Sequence, residues 1–336
     1  TTAVVGAPYA NSYTGAAYVF TKVAGTWLQQ AELLASDGAS NDEFGWSVAI
    51  SGSTVVVGAP ARDFGIGAAY VFSDGGGTWT QQAELTGSDS SGGDKFGSSV
   101  VAASASQVMV GAKGHAATGA VYVFSDSGGP WGQAQELSDP EGGADDMFGW
   151  SMATSGATLV VSAVKAHNDT GAVFVYTPDG DGNWTERAEL SAADGFANDY
   201  FGDKVAISGN RIVAGAPGHN SEQGAAYVFS GSGATWKQTD ELTASDGQHN
   251  DCFGWAVGLA GKTVLVGAEQ TDNDNGAAYV FKLKGGSKWR QTDELSETTT
   301  GVAGEFGYSS SLSGTTALIS ADLAEGGAGT ALIYQL

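Results

Sequence analysis

The chain has 336 residues, with 37 acidic against 14 basic side chains and a formal net charge of −23. A surface this acidic repels phosphate groups and therefore disfavours nucleic acid and anionic membranes as partners. No apolar run approaches the roughly 20 residues of a membrane span, so we expect no direct membrane insertion. The single cysteine, Cys252, excludes an intrachain disulfide and a cysteine-based zinc site.

An internal repeat of roughly 50 residues runs through the chain. A Phe-Gly pair recurs, and so does the phrase Gly-Ala-Ala-Tyr-Val-Phe or a variant of it. The Phe-Gly pairs begin at Phe44, Phe96, Phe148, Phe201, Phe253 and Phe306. Because no linker interrupts the copies, we expect a single domain over residues 1–336, with repeats starting near 44, 96, 148, 201, 253 and 306 and a partial repeat over 1–43.

Each repeat contains four short strand signals, as in "FGWSVAIS", "TVVVGAP", "GAAYVF" and "TWTQQAEL", joined by turns such as "SGS" and "SDGGG". No segment shows a sustained helical period. Four antiparallel strands in a unit of this length are typical of a propeller blade. The sequence therefore predicts an all-β fold, a seven-bladed β-propeller of four-stranded antiparallel blades. Small residues such as Gly45 and Ser47 are expected where neighbouring backbones approach closely.

The two ends of the chain correspond to partial blades. The chain starts on a second-strand pattern, "TTAVVGAP", and ends on a third-strand pattern, "GTALIYQL". We therefore expect incomplete first and last blades and a longer natural polypeptide, in which about half a repeat precedes Thr1. Alternatively, a partner chain completes these blades by strand addition.

These motifs resemble FG-GAP repeats, the family of the seven-bladed propeller of integrin α subunits and of bacterial and algal surface proteins. Gly58-Ala59-Pro60 and Gly215-Ala216-Pro217 carry the second signature. The resemblance implies an extracellular or cell-surface propeller used in adhesion or ligand binding. Integrin-type repeats also hold calcium in the hairpin between their first two strands. Here that hairpin is only "SGS", "SGN" or "AGK", so the resemblance carries no calcium site over.

Acidic residues recur seven and two positions before the phenylalanine of five Phe-Gly pairs, whereas the last pair has Thr299 and Gly304 there. The pairs are Asp37 and Asp42, Asp89 and Asp94, Glu141 and Asp146, Asp194 and Asp199, and Asp246 and Asp251. Carboxylate oxygens suit Ca²⁺, and three pairs have an asparagine beside them. Calcium is therefore the one cofactor considered, at Asp37, Asp42, Asp194, Asp199, Asp246 and Asp251. The favoured alternative is that these side chains form turns by accepting backbone N–H groups.

Other recurring side chains are candidates for a binding face. Trp46, Trp150 and Trp255 follow Phe-Gly directly, and they either stack on sugar rings or pack between blades. Asn168 and Asn183 lie in glycosylation sequons. Three histidines occupy nearly the same loop in neighbouring repeats, too far apart to share one metal ion: His115, His167 and His219.

No catalytic motif stands out, so we expect a protein that is not an enzyme. The favoured function is an extracellular adhesion or recognition module that binds a protein or glycan. Its binding face would carry the Asp-rich loops and the loops between second and third strands, since variable loops on a rigid scaffold usually set specificity. One alternative is a structural building block of a surface filament or extracellular matrix, assembled from copies of itself. The other is a carbohydrate-binding lectin.

Overall fold

The computed structural model describes residues 1–126, 128–139, 141–286, 288–296 and 304–336. Its strands form seven antiparallel sheets in which neighbours in sequence are neighbours in the sheet. The predicted fold class, a seven-bladed β-propeller, is confirmed. The first and last sheets have three strands and the other five have four, as predicted. The chain divides into two compact units, Thr1–Met152 and Ala153–Leu336.

Unit 1 contains blades 1 to 3. Blade 1 consists of β1 (Thr2–Ala7), β2 (Ala16–Val23) and β3 (Thr26–Leu33). Blade 2 consists of β4 (Ser47–Ser51), β5 (Thr54–Ala59), β6 (Ala68–Asp74) and β7 (Trp79–Leu85). Blade 3 consists of β8 (Phe96–Ser104), β9 (Gln107–Ala112), β10 (Ala120–Ser125) and β11 (Gly132–Leu137).

Blade 4 starts on β12 (Phe148–Ser155), within which the division falls, and continues in unit 2 with β13 (Thr158–Ala163), β14 (Ala172–Pro178) and β15 (Trp184–Leu190). Blade 5 consists of β16 (Val205–Ser208), β17 (Arg211–Ala216), β18 (Ala225–Ser232) and β19 (Thr235–Leu242). Blade 6 consists of β20 (Ala256–Ala260), β21 (Thr263–Ala268), β22 (Ala277–Lys284) and β23 (Lys288–Ser296). Blade 7 consists of β24 (Phe306–Ser313), β25 (Thr316–Ala321) and β26 (Thr330–Gln335).

The strands of a blade differ in burial according to their sequence pattern. In blade 2, β5 has the sequence TVVVGA and is buried at every residue, as expected for a β-branched run covered on both faces. The fourth strand, β7, alternates between exposed and half-buried residues and ends on the buried Leu85. The second and third strands therefore provide the core of each blade, and the fourth strand faces solvent on one side.

One-turn segments lie between the second and third strands of the blades. They are Ala10–Tyr13, Arg62–Gly65, His115–Ala117, Ala166–Asp169, His219–Glu222, Thr271–Asp274 and Ala324–Gly327. Their middle residues have left-handed backbone angles, for example φ 59° at Phe64 and φ 58° at Ser221. Such angles are uncommon for residues other than glycine, and the sequence pattern did not predict them.

The phenylalanine and the glycine of a Phe-Gly pair have different structural roles. Phe44 is fully buried, and its ring packs edge-on against Tyr70 and Phe72 at centroid distances of 5.4 and 6.0 Å. The glycine of the next pair, Gly97, places its carbonyl oxygen directly against the Cα of Gly58. A Cβ on Gly58 would overlap that oxygen, so the second strand of blade 2 requires glycine where blade 3 begins. Blade 4 has Ser162 at the corresponding position, so not every blade shares this requirement.

We predict that Gly58→Ala lowers the free energy of unfolding by about 3 kcal/mol or more, because backbone rather than a movable side chain occupies the space. Gly132→Ala is the matched control, since no atom lies within 4 Å of a Cβ at that position. Urea unfolding followed by circular dichroism measures both variants. Equal stability of the two variants would contradict this account of the close approach.

Candidate functional site

Two sets of loops lie together along the blades. The linker loops join the fourth strand of one blade to the first strand of the next, and the 2–3 loops join second to third strands within a blade. Backbone hydrogen bonds connect the two sets: the N–H of Glu43 donates to the Tyr13 carbonyl (3.0 Å), and that of Cys252 to the Glu222 carbonyl (2.8 Å). The structure thus brings together, within each unit, the two loop sets that the sequence predicted to share a face.

In five linker loops the aspartate two positions before the phenylalanine forms the turn of the loop. Its carboxylate accepts the backbone N–H of the residue three positions earlier. The bonds are Ala39 to Asp42 (2.8 Å), Ser91 to Asp94 (2.7 Å), Gly143 to Asp146 (2.6 Å), Phe196 to Asp199 (2.8 Å) and Gln248 to Asp251 (2.7 Å). One carboxylate oxygen of each is therefore committed to the local backbone.

Where an aspartate also stands seven positions before the phenylalanine, it has a different role, because Asp37, Asp89 and Asp194 each contact the next blade. The hydroxyl of Tyr70 donates to Asp37 (3.1 Å), and that of Tyr122 donates to Asp89 (2.8 Å). Asp194 is likewise hydrogen-bonded to Tyr227. One aspartate of a pair thus accepts a backbone N–H and the other a tyrosine hydroxyl, and in blade 3 the His115 ring contacts both of them.

A glutamate of the fourth strand joins each of these aspartates. Tyr70 and Glu84 are direct cross-strand partners, as are Tyr122 and Glu136. Directly opposite side chains in an antiparallel pair lie on the same face. The tyrosine that binds the aspartate therefore places a second carboxylate beside it. Burial raises the pKa of Glu136, and repulsion from Asp89 raises it further.

In blade 2 a guanidinium lies between the two carboxylates. Arg62 contacts Asp37 at 2.5 Å and Glu84 at 3.2 Å, and it also hydrogen-bonds the Tyr70 hydroxyl. Burial tends to raise the pKa of Asp37, but the hydrogen bonds from Arg62 and Tyr70 outweigh it and lower the pKa overall. Asp37 and Glu84 therefore form a binding site for a positively charged group.

In blade 3 His115 takes the position of Arg62. Its Nδ1 lies 2.8 Å from Asp94 Oδ2, and its Nε2 lies 3.5 Å from Asp89 and 3.9 Å from Glu136. Burial tends to raise the pKa of Asp94, but hydrogen bonds from His115 and Ser91 lower it overall. A carboxylate can only accept, so Nδ1 carries the proton of this bond and Nε2 of the neutral ring keeps its lone pair.

Blade 5 repeats the arrangement with His219, whose Nδ1 lies 2.9 Å from Asp199 and 3.3 Å from the Tyr227 hydroxyl. One ring nitrogen of His219 and one oxygen each of Asp194 and Glu241 lie within 4.8 Å of one another. The same holds for His115 with Asp89 and Glu136. The sequence analysis singled out the aspartates and histidines but missed Glu136 and Glu241.

Blade 6 has the carboxylates without a cationic or imidazole side chain, since Thr271 takes the corresponding position. Burial raises the pKa of Glu294, and Asp246 raises it further by its charge and by a hydrogen bond. Thr271 offers no charge to offset this repulsion between the two carboxylates.

The remaining candidate residues lie apart from these clusters. Trp46 is exposed, whereas Trp150 and Trp255 are half-buried. The amine of Lys113 lies 3.9 Å from the centre of the Trp150 ring. Asn168 and Asn183 are both exposed, as glycosylation would require, and their modification stays a prediction. The side chain of His167 bonds Glu189 at 2.7 Å.

Large apolar side chains are exposed on the loops of both units. Tyr9, Tyr13 and Phe64 belong to 2–3 loops of unit 1, and Phe196 belongs to a linker loop of unit 2. Phe64 is fully exposed and Phe196 is 73% exposed. In blade 5 the linker loop and the 2–3 loop enclose an open cavity of about 670 Å³, lined by Phe196, Tyr200, His219 and His249 among others.

The FG-GAP repeat sequence profile matches residues 27–72, 79–124, 131–176, 184–229 and 236–281. The chain belongs to the FG-GAP repeat family. Each match starts at the tryptophan position of a fourth strand and ends in the third strand of the next blade, as in Trp27 to Phe72. One FG-GAP repeat therefore contains a complete linker loop, which explains why the aspartates recur with the blades.

FG-GAP propellers commonly bind protein ligands, are typical of extracellular or surface proteins, and are typically not enzymes. No curated protein matches the chain. Among the described residues, no helix has both the length and the apolar character needed to cross a membrane.

We predict that Asp199→Ala lowers the melting temperature, because the Phe196 N–H and the His219 ring lose their acceptor. Loss of a capping carboxylate costs about 1–2 kcal/mol. The calcium hypothesis at Asp194 and Asp199 stays a prediction that the same experiment checks. Scanning calorimetry with and without millimolar calcium should show the same loss in both conditions. A calcium-dependent rise in melting temperature that Asp199→Ala abolishes would instead support a calcium site there.

A buried carboxyl at the start of a 2–3 loop makes stability depend on pH. Burial raises the pKa of Glu269 to about 8, and repulsion from Glu305 contributes. The folded state therefore holds a proton that the unfolded chain releases above its ordinary pKa of 4.5. This stabilisation is complete below that value and is lost as the pH rises through about 8.

Accordingly, the free energy of unfolding should fall with rising pH, by at most about 1.4 kcal/mol per pH unit for one proton. Glu269→Gln should flatten this dependence, since glutamine stays neutral across the range. Glu43→Gln, at a half-buried position of a linker loop, is the control and should keep the slope. Urea titrations at a series of pH values measure it. An unchanged slope in Glu269→Gln would show that Glu269 is not the group responsible.

Proposed function

We propose that this FG-GAP propeller is a non-enzymatic extracellular recognition module that binds a protein or glycan through its linker loops and 2–3 loops. The exposed aromatic side chains on these loops carry the proposal. Tyr, Phe and Trp residues dominate binding energy at interfaces when a partner buries them. A partner that buries these side chains would gain apolar contact area, which supports the proposal.

Phe64 is the strongest single observation. Its side chain is fully exposed, and its backbone has φ 59°. A bulky residue at such an angle costs of order 1–3 kcal/mol, and glycine or asparagine would adopt it more easily. Phe64 therefore bears a conformational cost in the free protein without burying its ring. Binding of a partner on this loop compensates that cost.

The neighbouring 2–3 loop of blade 1 supports a contact surface of the same kind. The rings of Tyr9 and Tyr13 lie 5.3 Å apart in a tilted arrangement, and both are more than half exposed. Tyrosine offers a large apolar body with a polar tip, which suits both protein and sugar surfaces. The acidic composition of the chain favours a partner with basic groups around an apolar centre.

We predict that Phe64→Ser weakens binding at least about tenfold, as loss of a central aromatic contact would. The assay uses beads coated with the protein, applied to a glycan array and to immobilised surface proteins of the cells that produce it. Leu28→Ser, an exposed apolar residue of β3 away from these loops, is the matched control and should bind like the parent.

Three outcomes decide the proposal. Binding that falls only with Phe64→Ser supports it, and the surface that retains the beads distinguishes a protein from a glycan partner. Equal losses in both variants, or adhesion to none of the surfaces, would contradict it. Bead-to-bead association and a concentration-dependent mass in sedimentation equilibrium would instead favour a structural block assembled from copies of the chain.

A further inference from the structure

We propose that His115 with Asp89 and Glu136 binds a divalent transition-metal ion of the zinc class, and that His219 with Asp194 and Glu241 binds a second one. In each cluster one ligand atom from every residue lies within 4.8 Å of the other two. Each cluster lies within a single compact unit. These sites do not depend on the partner proposed above, because no exposed aromatic residue contributes to them.

The distances in blade 3 fit a small metal ion. Nitrogen and oxygen ligands at 2.0–2.1 Å from a tetrahedral zinc ion stand about 3.4 Å from one another. Nε2 of His115 already lies 3.5 Å from Asp89 Oδ2 and 3.9 Å from Glu136 Oε1. Asp89 is half exposed and Glu136 one-third exposed at the side chain. Small rotations of these two carboxylates therefore complete the triangle without moving the backbone.

The groups behind the three ligands orient them for this role. Metal-binding histidines almost always donate their other ring N–H to a carboxylate or carbonyl, which fixes the ring and its tautomer. Asp94 provides that acceptor for His115, and Asp94 is itself held by Ser91. The Tyr122 hydroxyl occupies Oδ1 of Asp89, so Oδ2 is the oxygen that faces the imidazole.

His219 adds an independent observation that points to a ligand. Its side chain is only 6% exposed. The two hydrogen bonds that its ring makes both use Nδ1, so within the described part of the chain Nε2 has no hydrogen-bond partner. A ring nitrogen that no protein group occupies keeps its lone pair available to an incoming ligand when Nδ1 carries the proton. Because Nδ1 faces Asp199, Nε2 points away from it, and in the equivalent ring of His115 that nitrogen faces the carboxylate pair.

The equivalent place in blade 2 is already occupied by a cation. The guanidinium of Arg62 contacts both Asp37 and Glu84, the counterparts of Asp89 and Glu136. The repeat thus places two carboxylates where they can bind a positively charged group. The residue at one position of the 2–3 loop, Arg62 in blade 2, determines which group that is. Where that position is histidine, the pair gains a nitrogen ligand in place of a fixed charge.

The ligand set selects a transition metal over calcium. Calcium takes 6–8 oxygen ligands, whereas each cluster offers one imidazole and two carboxylates. Imidazole nitrogen suits zinc and its first-row neighbours. Three protein ligands also leave a coordination position to water or to a group of a bound partner.

The test is isothermal titration calorimetry of zinc chloride into the full chain, freed of any affinity tag and stripped of metal by chelation. The parent should bind two zinc ions per chain. Asp89→Asn and Asp194→Asn should each lose one site, or weaken it at least about tenfold, and the double variant should lose both. Asparagine keeps an oxygen for the tyrosine hydroxyl, so these variants should fold, as circular dichroism will check. His167→Ala is the matched control, because the His167 ring bonds Glu189, a residue of neither cluster, and the variant should leave both zinc ions bound.

A second measurement identifies the ligands directly. Cobalt(II) in the parent should give visible absorption bands of a low-symmetry site with a nitrogen ligand, and His115→Ala with His219→Ala should abolish them. Several results would overturn the proposal: no zinc binding to the parent, zinc binding that the double aspartate variant leaves intact, or equal loss in His167→Ala. Calcium that binds with the same stoichiometry and the same sensitivity to the variants would also overturn it.

Discussion

The contact between glycine and carbonyl at neighbouring blades is the constraint on which the rest of the structure depends. The Cα of Gly58 lies against the Gly97 carbonyl, and the Cα of Gly215 lies against that of Gly254 in the same way. A third glycine, such as Gly67, has φ 86° and meets the backbone of Phe96. No side chain fits at these glycines. The FG and GAP signatures therefore reflect close backbone contacts more than a binding or catalytic role of their residues.

This close approach also fixes the loops. The N–H of Phe96 donates to the Ile66 carbonyl (3.0 Å), and that of Lys95 donates to the Gly65 carbonyl (2.9 Å). The end of each linker loop is therefore part of the same hydrogen-bonded framework as the preceding 2–3 loop. Residues between these anchor points, such as Phe64, vary among repeats without disturbing the core. Rigid support beneath variable side chains is what a recognition surface requires, since ordering costs are then small on binding.

The fold could be predicted from the sequence because the repeat recurs in every blade. The side-chain clusters could not be predicted in this way. Strand number, strand order and the buried phenylalanines follow from patterns that recur in every blade. Asp89, His115 and Glu136 belong to a linker loop, a 2–3 loop and a fourth strand, and no local spacing connects three such places. Aligning the repeats column by column would have placed Arg62, His115, His219 and Thr271 at one position and shown that aspartate and glutamate recur around it. The left-handed angles of the 2–3 loops gave only a weak signal, because asparagine such as Asn11 favours them but serine such as Ser12 does not.

The surroundings of the carboxylate pair differ among blades 2, 3, 5 and 6, and this variation is where these repeats differ in chemistry. Two carboxylates on one face cannot both stay charged and partly buried without a counter-charge. In blade 2 Arg62 supplies a permanent one and lowers the pKa of Asp37. In blade 6, where Thr271 offers none, burial and the charge of Asp246 raise the pKa of Glu294. Imidazole in blades 3 and 5 lies between these extremes, since it can carry a proton itself or donate a lone pair to a metal ion. The chain has a net charge of −23 and therefore many carboxylates that repel one another. A change at this one position of the 2–3 loop alters the group beside the carboxylate pair without altering the scaffold against which neighbouring blades pack.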